Sequence, residues 1–357
     1  MRIGILTFSN AFNLGAALQA FSLQKAMEEK GNEVELIDYR CSAIEAMHRM
    51  RPVFQLGLSL KQRIYNLLYN LVFLPRRIRF LQFREYSKRS KKYSKASIQD
   101  TNEKYDMFVT GSDQVFNLKL TGADSTYYLD FVDKGIKASY AASLGAYLPD
   151  QKERYQQYLK SFDYLSVREN STAEIFEKEL GIKAEVMPDP VFLHTAEEWE
   201  KLIGVSKAAR HKYVLIYSLI ENEELYVIAN KVAKEKNLKI FAITKVLRPM
   251  GHADKYLRNT GPKEFIELIA NADYIVTNSF HGTAFSIIFE KQFTTLMPPA
   301  VPERILDLLQ VTDLSERISS GESIPLTEIN YSTKSVSIRD MKLLGEQYLR
   351  YVLGRKE

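Results

Sequence analysis

The 357-residue chain is 45% hydrophobic and 26% charged, a composition typical of globular proteins and unlike that of disordered or membrane-embedded ones, and its length favours two domains. The single cysteine, Cys41, excludes an internal disulfide and cysteine-based zinc or redox sites, which suits a reducing compartment. The longest lipophilic run, 67–74, is far shorter than the roughly 20 residues that span a bilayer, and no secretory signal is recognisable, so we expect a cytoplasmic protein.

The first half of the chain alternates strand and helix patterns. It opens with an apolar strand at 2–8, a polar loop containing glycine, and a helical pattern that ends at Gly31. Further buried strands are predicted at 34–39, 106–110, 138–144, 164–168 and 185–187. Because helical patterns separate several of these strands, the sequence favours a parallel sheet with crossover helices.

The segment 58–95 interrupts this alternation and is predicted to form a pair of helices broken at Pro75. From Lys61 to Lys95 it contains eleven Lys or Arg residues and one acidic residue, Glu85. The positive charge of the protein is therefore local, and general binding of nucleic acid is not indicated. Two interpretations stay open: a solvated insertion, or a peripheral contact with an anionic membrane or a lipid-linked glycan.

The second half repeats the pattern after a linker near 190–212. Strands are predicted at 213–217, 240–244, 274–277 and 293–296, with helical patterns between them. The sequence therefore predicts an α/β protein of two Rossmann-like, doubly wound domains. Their predicted bounds are 1–195, which includes the basic helical insertion, and 196–335.

A histidine stands where an apolar strand meets a helix in the stretch 277–286, TNSFHGTAFS. The carboxyl ends of parallel strands form the ligand crevice of such sheets, and a helix that begins there offers free N–H groups to an anion. His281 is therefore a candidate catalytic residue, although a capping or core histidine is the alternative. The neighbours that we expect to contact substrate are Asn278, Ser279, Gly282 and Thr283.

Two other strand ends carry polar side chains. Arg168 follows the strand at 164–168 and suits bidentate recognition of a carboxylate or phosphate, the alternative being an ion pair with Glu169 or Glu174. Asp113 follows the strand at 106–110 and would act as a base on a sugar hydroxyl, hydrogen-bond the sugar, or cap a helix. Its neighbours Ser112 and Gln114 project beyond the same strand end.

The loop after the first strand and the helix near the end of the second half supply the remaining candidates. Asn13, Gly15 and Gln19 lie in or just after that loop, where a glycine permits close approach of a ligand to the backbone. The loop lacks a full GxGxxG pattern, and a GxxxxGK[ST] phosphate loop is not found in the sequence. Arg304 lies at the start of a later amphipathic helix. It is either a second cation for the crevice or a residue that faces solvent.

These residues lie in blocks that resemble the polysaccharide pyruvyl transferase family. The blocks are NLGAALQAFSLQ at 13–24, YDMFVTGSDQVFN at 105–117, YAASLG at 140–145, LSVREN at 165–170, MPDPVFL at 187–193, the stretch 261–289 with SFHGTAFS, and the helix with Arg304. The resemblance implies a fold like that of the GT-B glycosyltransferases, with the substrate cleft between the domains. It also implies that a final helix, 336–357, returns to the first domain.

The resemblance implies phosphoenolpyruvate as the donor and a pyruvate ketal on a sugar as the product, the acceptor being a sugar or a lipid-linked oligosaccharide. A metal-binding cluster of His, Asp and Glu is not visible in the sequence, so we predict that no metal or cofactor is needed. The family's donor-binding arginine corresponds to Arg168 and its histidine to His281. Two positions depart from the family: Ser279 stands where some members have arginine, and Val301 where some have lysine. We expect Arg304 to supply the missing cation.

The expected chemistry uses His281 as the general acid, Arg168 and Arg304 as the cations that bind the donor, and Asp113 as the base for the acceptor. Two alternatives stay open. One is a GT-B glycosyltransferase that uses a nucleotide-sugar, and the other is a glycan-binding protein without catalytic activity.

Overall fold

The computed structural model describes residues 1–145, 147–205, 212–298, 302–319 and 327–354. The chain divides into two compact units, each assembled from separate stretches of sequence. The first unit contains Met1–His48, Glu85–His194 and Arg339–Glu357, and the second contains Arg49–Arg84 and Thr195–Ile338.

The strands and helices alternate along most of the chain. The strands are β1 (Arg2–Leu6), β2 (Glu33–Tyr39), β3 (Arg89–Tyr93), β4 (Met107–Gly111), β5 (Ile136–Tyr140), β6 (Ser166–Val167), β7 (Glu185–Val186), β8 (Tyr213–Tyr217), β9 (Lys239–Ile243), β10 (Lys255–Leu257), β11 (Tyr274–Thr277) and β12 (Gln292–Thr295). The helices are α1 (Leu14–Glu29), α2 (Ser42–Met47), α3 (Leu60–Phe83), α4 (Leu118–Thr121), α5 (Lys152–Leu159), α6 (Asn170–Ile175), α7 (Ala196–Ile203), α8 (Glu223–Lys236), α9 (Pro262–Asn271), α10 (Phe280–Ile288), α11 (Glu303–Val311) and α12 (Ser335–Val352).

The first unit is built on a parallel sheet in the order β3-β2-β1-β4-β5. Its central strands are apolar on both faces, as the covered strands of a parallel sheet require. In β4, Met107 and Val109 pack into one core cluster, whereas Phe108 packs into the other. Side chains that alternate in this way show that elements cover both sides of the sheet.

The second unit repeats this architecture with a parallel sheet in the order β10-β9-β8-β11-β12. Every residue of β8 and β11 is buried. Together the two sheets confirm the predicted α/β class with Rossmann-like halves. Since all strands of each sheet run in parallel, their carboxyl ends meet at one edge, and the loops there position the candidate side chains.

The basic segment differs from its prediction in two ways. α3 is a single helix that contains Pro75, so the prediction of two helices broken there was wrong. The carbonyl that loses its N–H partner belongs to Leu71, an exposed residue that water can reach. Residues 89–93 form a strand, not a helix, because their backbone pairs with β2, as in the 2.9 Å bond from Arg40 N to Tyr93 O.

α3 is grouped with the second unit, whereas the sequence interpretation placed it as an insertion in the first domain. Arg79 on this helix makes the connections. Its Nε lies 3.2 Å from Glu264 Oε1 on α9, and its Nη1 donates a 2.9 Å hydrogen bond to the Asn259 carbonyl. α3 therefore contacts the loop after β10 and the start of α9.

Most of α12 belongs to the first unit, since the boundary between the units falls after Ile338. Tyr348, Leu349 and Val352 join the core cluster of β1 and β4. The Tyr348 hydroxyl also donates a 3.0 Å hydrogen bond to the Ser139 carbonyl in β5. This late segment thereby completes the core of the first unit.

A membrane-spanning helix is not found among the described residues.

Candidate functional site

His281 lies at the start of α10, just beyond the carboxyl end of β11. Ser279 is the N-cap residue of this helix, and its Oγ accepts a 3.4 Å hydrogen bond from Gly282 N. The His281 side chain is buried and its ring meets that of Phe280 edge-on, with 5.2 Å between centroids. The structure therefore places this histidine at the edge of the sheet where a ligand crevice is expected.

Arg304 lies close to this histidine through a shared neighbour. It occupies the first turn of α11 and is partly buried, and its guanidinium carbon lies 5.1 Å from the centroid of the Phe280 ring. A cation over an aromatic face is stabilised by the ring's electron density. Both His281 and Arg304 therefore contact the Phe280 ring, and the prediction that Arg304 supplies the missing cation stays a prediction, while Val301 lies outside the described residues.

The polar neighbours of His281 support the local backbone. Asn278 Oδ1 accepts a 3.0 Å hydrogen bond from Leu219 N, and its Nδ2 donates one of 2.9 Å to the Ile220 carbonyl, so this residue fixes the loop after β8. Thr283 Oγ1 donates a 3.1 Å hydrogen bond to the Ser279 carbonyl. A side-chain carbon on Gly282 would come within 3.0 Å of Thr277 Cβ and Tyr217 Cδ1, so the contact with these residues leaves room only for glycine.

In the first unit, Arg168 is buried in a network with two carboxylates. Its Nη1 lies 2.7 Å from Asp189 Oδ2 and 3.3 Å from Ser112 Oγ, and its Nε lies 2.9 Å from Glu169 Oε1. Burial opposes the charge of Arg168, but Glu169, Asp189 and Asp113 outweigh it and raise the pKa of the guanidinium. Sequence reasoning anticipated the partner Glu169 but placed the pair at the surface.

Asp189 is a residue that sequence reasoning missed. It is fully buried, accepts a 2.9 Å hydrogen bond from Ser112 Oγ, and caps a short helical turn by accepting a 3.1 Å bond from Val191 N. An acidic residue between two prolines, directly after a strand, was the available signal in the block 187–193. Asp189 connects the strand end at Ser112 with the one at Arg168.

Asp113 and Gln114 follow β4 on a turn with unusual geometry. Asp113 has a φ of 67°, a left-handed conformation that few residues other than glycine adopt, and its Oδ1 accepts a 2.9 Å bond from Gln114 N. Gln114 Oε1 accepts a 2.8 Å bond from Asn117 Nδ2. Backbone strain of this kind concentrates at functional sites, where the surrounding fold holds it in place.

The loop after β1 is organised by its own side chains. Asn13 is the N-cap of α1, since its Oδ1 accepts hydrogen bonds from Gly15 N at 3.0 Å and from Ala16 N at 3.3 Å. Gln19 is buried, and its Nε2 donates a 2.8 Å bond to Thr7 Oγ1, which in turn donates one of 3.1 Å to the Ser112 carbonyl. Gln19 Oε1 has no hydrogen-bond partner in the described part of the chain.

Within the described residues, no three His, Cys, Asp or Glu side chains are grouped so that they could hold a metal ion. The expectation that the reaction needs no metal stays a prediction.

Comparison with known proteins first defines the class. The structure is similar to the UDP-GlcNAc 2-epimerase of Neisseria meningitidis, with a TM-score of 0.53, 10% identity and coverage of 99% of both chains. The UDP-N-acetylglucosamine 2-epimerase of Rickettsia bellii has a TM-score of 0.53 and 13% identity, with 99% of this chain and 96% of that chain covered. At such identities the likeness concerns the fold, which is of the GT-B type.

The sequence then defines the family. The family model "Polysaccharide pyruvyl transferase" matches residues 13–298, which is most of the chain. The chain therefore belongs to the polysaccharide pyruvyl transferase family, a family of transferases, as the resemblance of its blocks implied. A search of curated proteins gave no match.

Proposed function

We propose that this protein transfers the enolpyruvyl group of phosphoenolpyruvate to two hydroxyls of a sugar and releases phosphate. The observation that carries the proposal is the position of His281 at the start of α10, with the Arg304 guanidinium on the ring of the adjacent Phe280. An imidazole can donate a proton near neutral pH. Membership of the polysaccharide pyruvyl transferase family supports the reaction class.

The proposed reaction has two steps. In the first, the CH2 carbon of phosphoenolpyruvate gains a proton from His281, and C2 becomes an electrophile that one sugar hydroxyl attacks while its proton passes to Asp113. In the second, another hydroxyl of the same sugar forms a bond to C2, the bond from C2 to the phosphate oxygen breaks, and the hydroxyl proton ends on the departing phosphate. The products are a ketal of pyruvate and inorganic phosphate.

The proposal gives roles to residues of both units. Arg168 and Asp113 belong to the first unit, whereas His281 and Arg304 belong to the second. Asp113 is the proposed base for the acceptor hydroxyl, and its position close enough to raise the pKa of Arg168 is consistent with a polar site at this strand end. The grouping of these residues into one donor site stays a prediction.

Product analysis tests the function directly. The purified protein is incubated with phosphoenolpyruvate and a panel of galactosides and other sugars, with and without EDTA, and phosphate release and the sugar's mass are measured. We expect phosphate release that depends on the acceptor, together with a sugar that has gained one pyruvate as a ketal. Nucleotide release from a nucleotide-sugar, without phosphate release from phosphoenolpyruvate, would favour the glycosyltransferase alternative and reject the proposal.

A further inference from the structure

Arg76 is a buried cation inside the second unit. The residues that α3 buries are Phe73, Arg76, Phe80 and Phe83, which recur at the three- and four-residue spacing of one helix face. Arg76 is only 6% exposed, and neither its Nη1 nor its Nη2 has a hydrogen-bond partner among the residues that the structure describes. The Phe80 ring centroid lies 5.5 Å from the guanidinium carbon, but a ring accepts less charge than a carboxylate. A buried guanidinium whose NH2 groups lack acceptors is costly, so this arrangement needs an explanation.

A second cation, Lys245, lies close to Arg76. It follows β9, and the Tyr69 hydroxyl of α3 donates a 3.2 Å hydrogen bond to its carbonyl, which ties the helix to this strand end. Burial and then the charge of Arg76 lower the pKa of Lys245 to about 7. Among the described residues, no carboxylate contributes to the pKa shift of either cation.

The pair of cations also borders the histidine loop. Tyr217 ends β8, and burial raises its pKa to about 12, while the opposing influences come from Arg76 and from Ser279. Thr277 connects this strand end to α10, since its Oγ1 donates a 2.7 Å hydrogen bond to the Tyr217 carbonyl and accepts one of 3.1 Å from Ser279 N. Arg76, Lys245 and Ser279 therefore lie at the same edge of the sheet, at the carboxyl ends of β8, β9 and β11.

We propose that Arg76 and Lys245 form a binding site for the phosphate group of an anionic substrate. Two cations without a counter-ion, at the carboxyl edge of a parallel sheet and beside a helix start, suit a dianion better than any neutral group. Although the ammonium of Lys245 is buried, the residue as a whole is partly exposed, so it lies near the surface. The inference rests on the proposed function in one respect: the phosphate group that binds here would be that of phosphoenolpyruvate.

Inorganic phosphate tests the anion site without any donor chemistry. Thermal unfolding is followed with increasing phosphate for the wild type, Arg76→Met, Lys245→Met and the control Lys61→Met, which removes an exposed cation of α3. We expect phosphate to raise the Tm of the wild type and of the control. The apparent Kd for phosphate, derived from the dependence of Tm on phosphate concentration, should be at least 10-fold higher in both site variants, which is about the loss of one charge-assisted hydrogen bond. An equal phosphate effect in Arg76→Met and wild type would overturn the proposal.

A kinetic measurement separates this proposal from the proposed function. If the site holds the donor, Arg76→Met raises the KM for phosphoenolpyruvate about 10- to 100-fold. Loss of the phosphate effect in the variants, without turnover of phosphoenolpyruvate by the wild type, would retain the anion site and reject the proposed function. Turnover with an unchanged KM in Arg76→Met would reject Arg76 as part of the binding site for the donor's phosphate and retain the function.

The opposite face of α3 carries an independent observation, which we call the apolar stripe. Its members are large hydrophobic side chains that are each at least 42% exposed and recur every three or four residues: Leu60, Ile64, Leu67, Leu71, Leu74, Ile78 and Leu81. Just before the helix, Phe54 and Leu56 are 90% and 96% exposed. Contiguous exposed apolar surface of this extent marks an interaction site.

The charge of α3 indicates what covers the apolar stripe. The helix contains no acidic residue. Apart from the buried Arg76 and the Arg79 that pairs with Glu264, its cations are Lys61, which is exposed, and Arg63 and Arg77, which are partly exposed. Two copies packed through this stripe would bring like charges together, whereas an anionic bilayer offers the opposite charge and an apolar interior. We propose that α3 lies in the interface of an anionic membrane, with the apolar stripe towards the acyl chains.

Vesicle sedimentation tests the membrane surface. The wild type and the variant Leu67→Gln/Leu71→Gln/Leu74→Gln are mixed with phosphatidylcholine vesicles that contain or lack phosphatidylglycerol, and circular dichroism confirms folding. We expect the wild type to bind the anionic vesicles, binding to weaken with salt, and the variant to bind at least 10-fold more weakly. The proposal would be overturned if the wild type does not bind anionic vesicles. It would also be overturned if the wild type elutes as a dimer and the variant elutes as a monomer.

Discussion

Arg168 Nη1 lies 2.7 Å from Asp189 Oδ2, and both side chains are almost completely buried. With Glu169 also 2.9 Å from Arg168 Nε, one cation is shared by two carboxylates inside the first unit. This arrangement differs from that of Arg76 in the second unit, which has no carboxylate partner in the part of the chain that the structure describes. Removing a carboxylate partner of Arg168 should therefore leave a buried charge poorly compensated, whereas Arg76 has no such partner to lose.

Replacing Asp189 by alanine should destabilise the protein. Removing one partner of a buried ion pair typically costs about 3 to 5 kcal/mol, and the retained Glu169 places the expected loss near the lower bound. Asp189→Asn keeps the side-chain volume and one acceptor oxygen, which can still serve Val191 N, and should cost less than the alanine. Urea unfolding measures both, with Glu174→Ala, which breaks the exposed pair with Lys178, as a control that should leave stability unchanged. An unchanged stability of Asp189→Ala would contradict the assignment.

Lys245 should make the protein more stable as the pH rises, whereas a lysine that is stabilised by a carboxylate makes a protein less stable as the pH rises. Its folded-state pKa of about 7 is below the value of about 10.4 for an unfolded lysine, so between these values the unfolded state binds more protons. The free energy of unfolding then rises with pH by up to about 1.4 kcal/mol per unit in this window. Below pH 7 the lysine is charged in both states and its burial costs the most.

Lys245→Met should therefore be more stable than the wild type below pH 7, and this advantage should shrink as the pH rises towards 10. Urea unfolding in buffers free of phosphate and sulfate measures the difference at each pH. Lys61→Met is the matched control, because Lys61 is exposed on α3 and should show no such trend. If the free energy of unfolding depends on pH in the same way in Lys245→Met and wild type, the Lys245 ammonium is not buried beside Arg76.

His281→Ala should abolish most of the transferase activity. Loss of a general acid typically costs roughly 100- to 10,000-fold in rate. Phosphate release from phosphoenolpyruvate measures the loss in kcat, and thermal unfolding verifies that the buried position tolerates the change. His252→Ala, at an exposed position in the same unit, should retain full activity. Unchanged turnover in folded His281→Ala would remove the histidine from the chemistry and leave the fold assignment intact.

Gly282→Ala should destabilise the second unit because of crowding. The added methyl group would press on Thr277 and Tyr217, and overpacking of this kind costs about 1 to 3 kcal/mol. Thr277 cannot turn away without losing the 2.7 Å bond from its Oγ1 to the Tyr217 carbonyl. The closest atom to the added methyl group is Thr277 Oγ1, and the double variant Thr277→Ala/Gly282→Ala removes it, so the cost should be less than the sum of the single costs. Strict additivity would argue against the contact.

The strands and their chain order were predictable because their apolar runs are unambiguous. The predicted bounds 213–217 and 274–277 agree with β8 and β11, both of which are buried throughout. β3 and β10 were missed because both are edge strands: β3 has the charged sequence RSKKY, and β10 is only 3 residues long. Charged edge strands prevent further pairing, and their stability comes from one neighbouring strand, which local sequence does not reveal.

The site was predictable where a side chain follows a strand directly, as His281 follows β11 and Asp113 follows β4. It was less predictable where distant segments meet. The hydrogen bond between Ser112 and Asp189 spans 77 positions, and Tyr69 on α3 reaches Lys245 across 176. The periodicity that α3 follows did contain a signal, because Arg76 falls among the phenylalanines of its buried face.

The position of α12 has a consequence for how the protein is made. Tyr348, Leu349 and Val352 pack against β1 and β4, which leave the ribosome long before them. The first unit therefore stays without part of its core during the whole translation of the second unit, and its apolar sheet face must be kept from aggregation in that interval. Chaperone demand should accordingly arise from the first unit, although it contains the earliest residues of the chain.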